Sequence, residues 1–73
     1  MRIILGSHKK LEIGVIYKCV RDYKKILHPD QTFKVIGESS LDEWIESYRS
    51  FGEEPEDWEV MLPCQYYYEV QVD

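Results

Sequence analysis

Beyond residue 37 this chain has a single cation, Arg49, set against eleven Asp and Glu. The first 37 residues are the reverse, with eight Lys or Arg against three acids. The formal net charge of −5 conceals that split. A negative total repels a phosphate backbone at long range, and the domain-wide basic balance of a typical nucleic-acid binder is missing. Cysteine is also scarce: Cys19 and Cys64 stand far apart, with no C-x-x-C spacing. A secreted domain this small normally carries a framework of disulfides, so two isolated cysteines point to a reducing cytosol and to two small buried hydrophobes. No apolar run approaches the roughly 20 residues that cross a bilayer. Arg2-Ile3-Ile4-Leu5 is too short for the apolar region of a signal peptide. The expectation is a soluble, cytoplasmic protein without a membrane segment.

Chemical motifs are equally thin. His8, Cys19, His28 and Cys64 share no metal-ligand spacing. The acid-rich stretch lacks the alternating Asp/Asn and Gly pattern of a calcium loop. There is no G-x-S-x-G nucleophile elbow and no P-loop. An enzyme is not expected, and neither is a cofactor or a metal.

What the chain does have is aromatic mass, with six Tyr, two Trp and two Phe in 73 residues. That is too apolar for an acidic disordered peptide and suits one small domain over residues 1–73. The clearest element is a helix over 41–51. Ser40 followed by Glu43 forms a capping box, and Leu41, Trp44, Ile45, Tyr48 and Phe51 recur on one helical face. Asp42 and Glu43 suit the positive end of the helix dipole and Arg49 the negative end; Gly52 and Pro55 stop it.

Tyr66, Tyr68, Val70 and Val72 alternate with Tyr67, Glu69, Gln71 and Asp73, which predicts a half-buried strand with Tyr67 on its open side. Residues 13–20, Thr32–Ile36, Lys24–Leu27 and Arg2–Leu5 read as further strands. His28-Pro29-Asp30-Gln31 suits a type I turn, and Glu53–Glu59 reads as an acidic loop. Strands, one helix and a closing strand define a small α+β domain of about four to five strands, curled into an antiparallel sheet. The outline resembles SH3-like partial barrels with an inserted helix. Trp44, Ile45, Tyr48, Val15, Tyr17, Val35, Tyr66, Tyr68 and Val70 are the expected core.

Three functional readings follow. The first is a non-enzymatic module that binds a protein partner, with a basic, nucleic-acid-binding protein as the best electrostatic match. Its surface would be Glu53, Glu54, Glu56, Asp57, Trp58 and Glu59, joined by Glu46 on the helix. An aromatic ringed by charge has the composition of an interface hot spot. The second is a single-strand nucleic-acid binder using Lys18, Arg21, Lys24, Lys25, Lys34 and Tyr23. The third rests on His28-Pro29-Asp30 after the basic stretch Tyr23-Lys24-Lys25-Ile26-Leu27, which resembles the tripeptide and preceding helix of J-domain co-chaperones. That resemblance implies a helical hairpin over residues 15–36 that contacts a chaperone partner. The charge split itself also predicts salt-dependent self-association, acidic surface on basic.

Overall fold

The computed structural model describes residues 1–19 and 27–72, with the Trp58 side chain outside the described set. The described residues form β1 (Arg2–Ser7), β2 (Ile16–Lys18), β3 (Thr32–Glu38), α1 (Leu41–Ser50), α2 (Asp57–Met61) and β4 (Tyr66–Val72). The strands make one antiparallel sheet in the order β1-β4-β3-β2.

Opposed residues of antiparallel strands share a face. Ile3 lies opposite Val70, and Val70 opposite Val35. Leu5 faces Tyr68, and Phe33 faces both Val72 and Tyr17. On that face Ile3, Leu5, Phe33, Val35, Tyr68, Val70 and Val72 are all buried, and they join Leu27, Trp44 and Tyr48 in one core. The opposite face carries Arg2, Glu69, Gln71, Lys34, Ile16 and Lys18.

The sheet is open, and the SH3-like closure suggested by the sequence does not form. β1 and β2 are its two edges. The physical reason lies in those edges. β2 has only three residues, and α1 packs along β1, where the Ser47 hydroxyl accepts the Ile4 N–H at 3.3 Å. A strand edge already covered by a helix cannot also close a barrel.

α1 forms as its sequence dictates. The Ser40 hydroxyl accepts the Glu43 N–H at 3.3 Å. The return arm of the box is redirected, since the Glu43 carboxylate accepts from the Ser39 hydroxyl. Phe51 is the C-cap and not a helical residue. Gly52 follows at φ +79°, with its N–H on the Arg49 carbonyl at 2.9 Å and the Glu53 N–H on the Tyr48 carbonyl at 3.2 Å. These two bonds are the Schellman motif, whose left-handed residue favours glycine.

Several sequence expectations are corrected. Tyr67 is buried, with its ring centroid 6.0 Å from that of Trp44, and Tyr66 is instead 36% exposed. Trp44 shelters one position on the polar side of β4, and Gly6, opposite Tyr67, leaves room there. The strand expected over 13–20 shrinks to β2 because Gly14 turns the chain at φ +90°. Val15 then precedes the strand and is 37% exposed. The turn at His28 closes with the Gln31 N–H on the His28 carbonyl at 3.2 Å, but Asp30 sits at φ +72°. A positive φ after proline makes this a type II turn and not type I. The stretch 53–59 is not all loop, since α2 begins at Asp57. Of the strand proposed at 24–27, residues 24–26 lie outside the described residues, while Leu27 makes a single bridge. Finally, His28-Pro29-Asp30 leads into β3, and β2 and β3 occupy positions that a J-domain would need as helix. The helical hairpin implied by the co-chaperone resemblance is absent from the described part of residues 15–36.

The row Ile3–Val70–Val35 predicts where stability resides. Ile3→Ala should lower the unfolding free energy by about 2–5 kcal/mol, whereas Ile16→Ala, at an exposed edge, should stay within about 0.5 kcal/mol. Urea denaturation of both variants checks the contrast.

Candidate partner-binding surface

The acidic segment is laid out by the end of α1. The Schellman turn at Gly52 reverses the chain and releases Glu53 onward from the helix. Glu54 returns to α1 through an Arg49 Nε–Glu54 Oε2 contact of 3.4 Å. Both side chains are well exposed, so this ion pair is worth little. Glu56 caps α2: its carbonyl accepts the Glu59 N–H at 3.0 Å and the Val60 N–H at 3.3 Å. The Glu59 carboxylate turns back to accept the Glu56 N–H at 3.0 Å. This is the acidic arm of a capping box, with Pro55 just ahead of it. Asp57 and Glu59 sit in the first turn, where negative charge is favoured.

The structure thus sorts the site residues predicted from sequence. Glu54, Glu56, Asp57 and Glu46 are exposed, and Glu53 and Glu59 are half-buried. Glu46 lies on the outer face of α1 with Asp42 and Glu43. The Trp58 side chain, offered as the aromatic anchor, lies outside the described residues.

A feature missed by sequence reasoning follows immediately. Val60, Met61 and Leu62 are consecutive and exposed, Met61 at 79% and Leu62 at 73%. Their sequence signal was only an apolar triplet after the acids, which reads equally well as a segment entering the core. Pro63, Cys64 and Gln65 then lead the chain into β4 at Tyr66. The result is a short exposed apolar ridge, preceded in sequence by acids. Apolar surface rimmed by charge is the usual anatomy of a protein–protein contact.

The basic residues are arranged differently. Lys34 is exposed and directly opposite Ile16, and Lys18 lies two residues further along β2 on the same face. Lys18 Nζ stands 3.3 Å from Asp30 Oδ1. Tyr17 and Phe33 stack at 5.9 Å on the opposite face, where Phe33 is buried. Lys18 and Lys34 therefore do not share a face with the stacked Tyr17 and Phe33. Arg21, Tyr23, Lys24 and Lys25 lie outside the described residues.

Folding also creates one chemical juxtaposition that no spacing reveals. Cys64 Sγ stands 4.0 Å from His8 Nε2, across 56 positions of sequence. The Cys64 N–H donates to the Tyr67 hydroxyl at 3.0 Å. Gly6 leaves space for this corner, since a Cβ there would lie 3.0 Å from the sulfur. Burial pushes the Cys64 thiol up, and the Glu59 carboxylate pushes it further the same way. Burial likewise raises Tyr67. At neutral pH the sulfur is a protonated thiol, the reverse of an activated nucleophile. Among the described residues, no three His, Cys, Asp or Glu side chains gather as a metal site. A shallow groove of about 210 Å³ lies between Glu38, Ser39 and Gln65–Tyr68. That is smaller than the roughly 300–1,000 Å³ of small-molecule sites.

Comparison with known proteins finds no relative: no family model, no curated protein and no solved structure matches this chain. No helix among the described residues is long and apolar enough to cross a membrane.

The Cys64 corner makes a measurable prediction. Alkylation in a Cys19→Ser background should be slower at pH 8 than for a solvent-exposed cysteine. Glu59→Gln should move the pH of half-maximal rate downward, because it removes a neighbouring negative charge that disfavours thiolate. The smaller share of the shift belongs to Glu59, so most of the retardation should persist.

Proposed function

We propose that this protein is a non-enzymatic interaction module whose working surface is the 53–62 segment, with a basic protein as partner. The observation that carries this reading is the exposed apolar run Val60-Met61-Leu62, which follows Glu53, Glu54, Glu56 and Asp57 directly in sequence. Neither half suffices alone. Acids by themselves describe a solvated loop, and scattered apolar side chains are normal on any surface. Together they supply the two components of recognition. The apolar triplet gives buried area and slow dissociation. The acids select a cationic partner and accelerate its approach.

The internal contacts of the acids support the same division. Glu59 is committed to the Glu56 N–H, and Glu54 reaches Arg49. Glu53 and Asp57 flank this frame, and Glu46 extends the negative field along α1. The Arg49–Glu54 pair is exposed, so a partner's cation can displace Arg49 at little cost.

Affinity capture from lysate with three proteins tests the proposal. Wild type should recover basic partners that Met61→Ser/Leu62→Ser loses. A variant with Glu53, Glu54, Glu56 and Asp57 made neutral should recover less, with weaker dependence on salt. Recovery of the same partners at the same level by all three would overturn it.

A further inference from the structure

The two edges of the sheet are treated unequally. At β1 the edge is covered: α1 lies along it, and Ser47 accepts the outward Ile4 N–H. At β2 nothing comparable is present among the described residues. The ladder bonds join Val15 to Val35 and Cys19 to Gln31. By the alternation of antiparallel pairing, Tyr17 bonds inward to Phe33, while the N–H and C=O of Ile16 and Lys18 point outward. Ile16 is 63% exposed on this edge, and Ile13 and Val15 beside it are exposed too. Exposed edges are ordinarily blunted by charge or covered. Here the face of Ile16 carries Lys18 and Lys34, with Asp30 paired to Lys18 and Glu12 next to Ile13.

The acidic ridge leads into the sheet on its β1 side. Cys64, which ends the α2 connection, lies against Gly6 of β1 and near His8. β1 and β2 are separated by the two strands between them, or three steps of about 4.8 Å. The ridge thus joins the sheet on the side away from the β2 edge. We propose that the occupant is a second copy of this chain: the Val60-Met61-Leu62 ridge of one molecule docks on the Ile13–Ile16 edge of the next. Both surfaces are apolar at the centre, and their bordering charges are opposite, with Glu53, Glu54, Glu56 and Asp57 against Lys18 and Lys34. The Lys18–Asp30 ion pair is exposed, so a new acid can compete for Lys18.

The two surfaces differ, so the contact is heterologous. Repeated, it builds open chains of molecules and not a closed pair. Three aliphatic side chains on each surface fall short of a standard interface, so assembly should be weak and concentration-dependent. This proposal uses the same ridge as the interaction-module reading, but it does not depend on a basic partner existing.

Sedimentation velocity provides the test. The wild-type sedimentation coefficient should climb with concentration at low salt. It should return to the monomer value at about 1 M salt, where the screening length is about 3 Å. Ile16→Glu blocks only the edge, and Met61→Ser/Leu62→Ser blocks only the ridge. Each variant should be monomeric with an unchanged far-ultraviolet circular dichroism spectrum. An equimolar mixture should restore association, but stop at two chains, because each partner retains one working surface. Wild type that stays monomeric, either variant still associating alone, or a mixture that stays monomeric would overturn the proposal. Partner capture by Ile16→Glu should remain at the wild-type level, so this proposal and the interaction-module reading fail independently.

Discussion

The row Ile3–Val70–Val35 runs across three strands and is the constraint on which the rest depends. Val35 and Val70 are fully buried and Ile3 nearly so. β4 comes last in the chain but lies second in the sheet, between the first strand and the third. Among the described residues β1 pairs with no strand but β4, which lies far from it in sequence. Pairing segments so far apart requires the loop-closure entropy to be met before any contact rewards it. Once β4 is seated, its register fixes the remaining faces. Tyr68 meets Leu5, and its hydroxyl accepts the Leu11 N–H at 2.9 Å, tying down the chain after β1. Tyr67 meets Trp44 and so couples the helix to the sheet. The covered edge, the open edge and the exposed ridge all follow from where β4 inserts.

That insertion also explains what was legible in the sequence. α1 announces itself locally, through Ser40, the spacing of Trp44 and Tyr48, and Gly52, because caps and periodicity are properties of neighbouring residues. β3 and β4 are legible for the same reason. The facing of β4 is not. Tyr66, Tyr67 and Tyr68 offer no polar contrast, so the alternation downstream sets the phase, and it places Tyr67 outside. Only the distant Trp44 and the space at Gly6 bring it inside. Val15 was misplaced because β-branched composition signals a strand without locating its end, and Gly14 ends this one early. Asp30 at φ +72° is a comparable case: proline presets the second residue of a turn and says little about the third.

The candidate surface was half legible. Charge is visible directly, so the acids of 53–59 stood out. Their division of labour was not visible. Glu59 holds the Glu56 N–H, Glu43 holds Ser39, Glu54 reaches Arg49, and Glu69 stands 3.9 Å from Arg2. Much of the negative charge is thereby engaged in ordering helix ends and lining the sheet. Net charge alone overstated how much acid is available to a partner. The apolar ridge went unseen for the opposite reason: exposure of Met61 and Leu62 depends on the whole fold, and nothing local marks an apolar residue as one that stays in water.

A small domain sharpens the meaning of that exposure. A chain of 73 residues has a thin stability margin, and every aliphatic side chain left in solvent is one withheld from the core. Met61 and Leu62 could be polar without altering any buried contact in the row Ile3–Val70–Val35. The same holds for Ile13 and Ile16 at the β2 edge. Ile13, Val15 and Ile16 before β3 and Val60, Met61 and Leu62 before β4 thus lie outside the core in two groups. Among the described residues, no buried contact of the core uses either group. The proposed contact between copies would bury both.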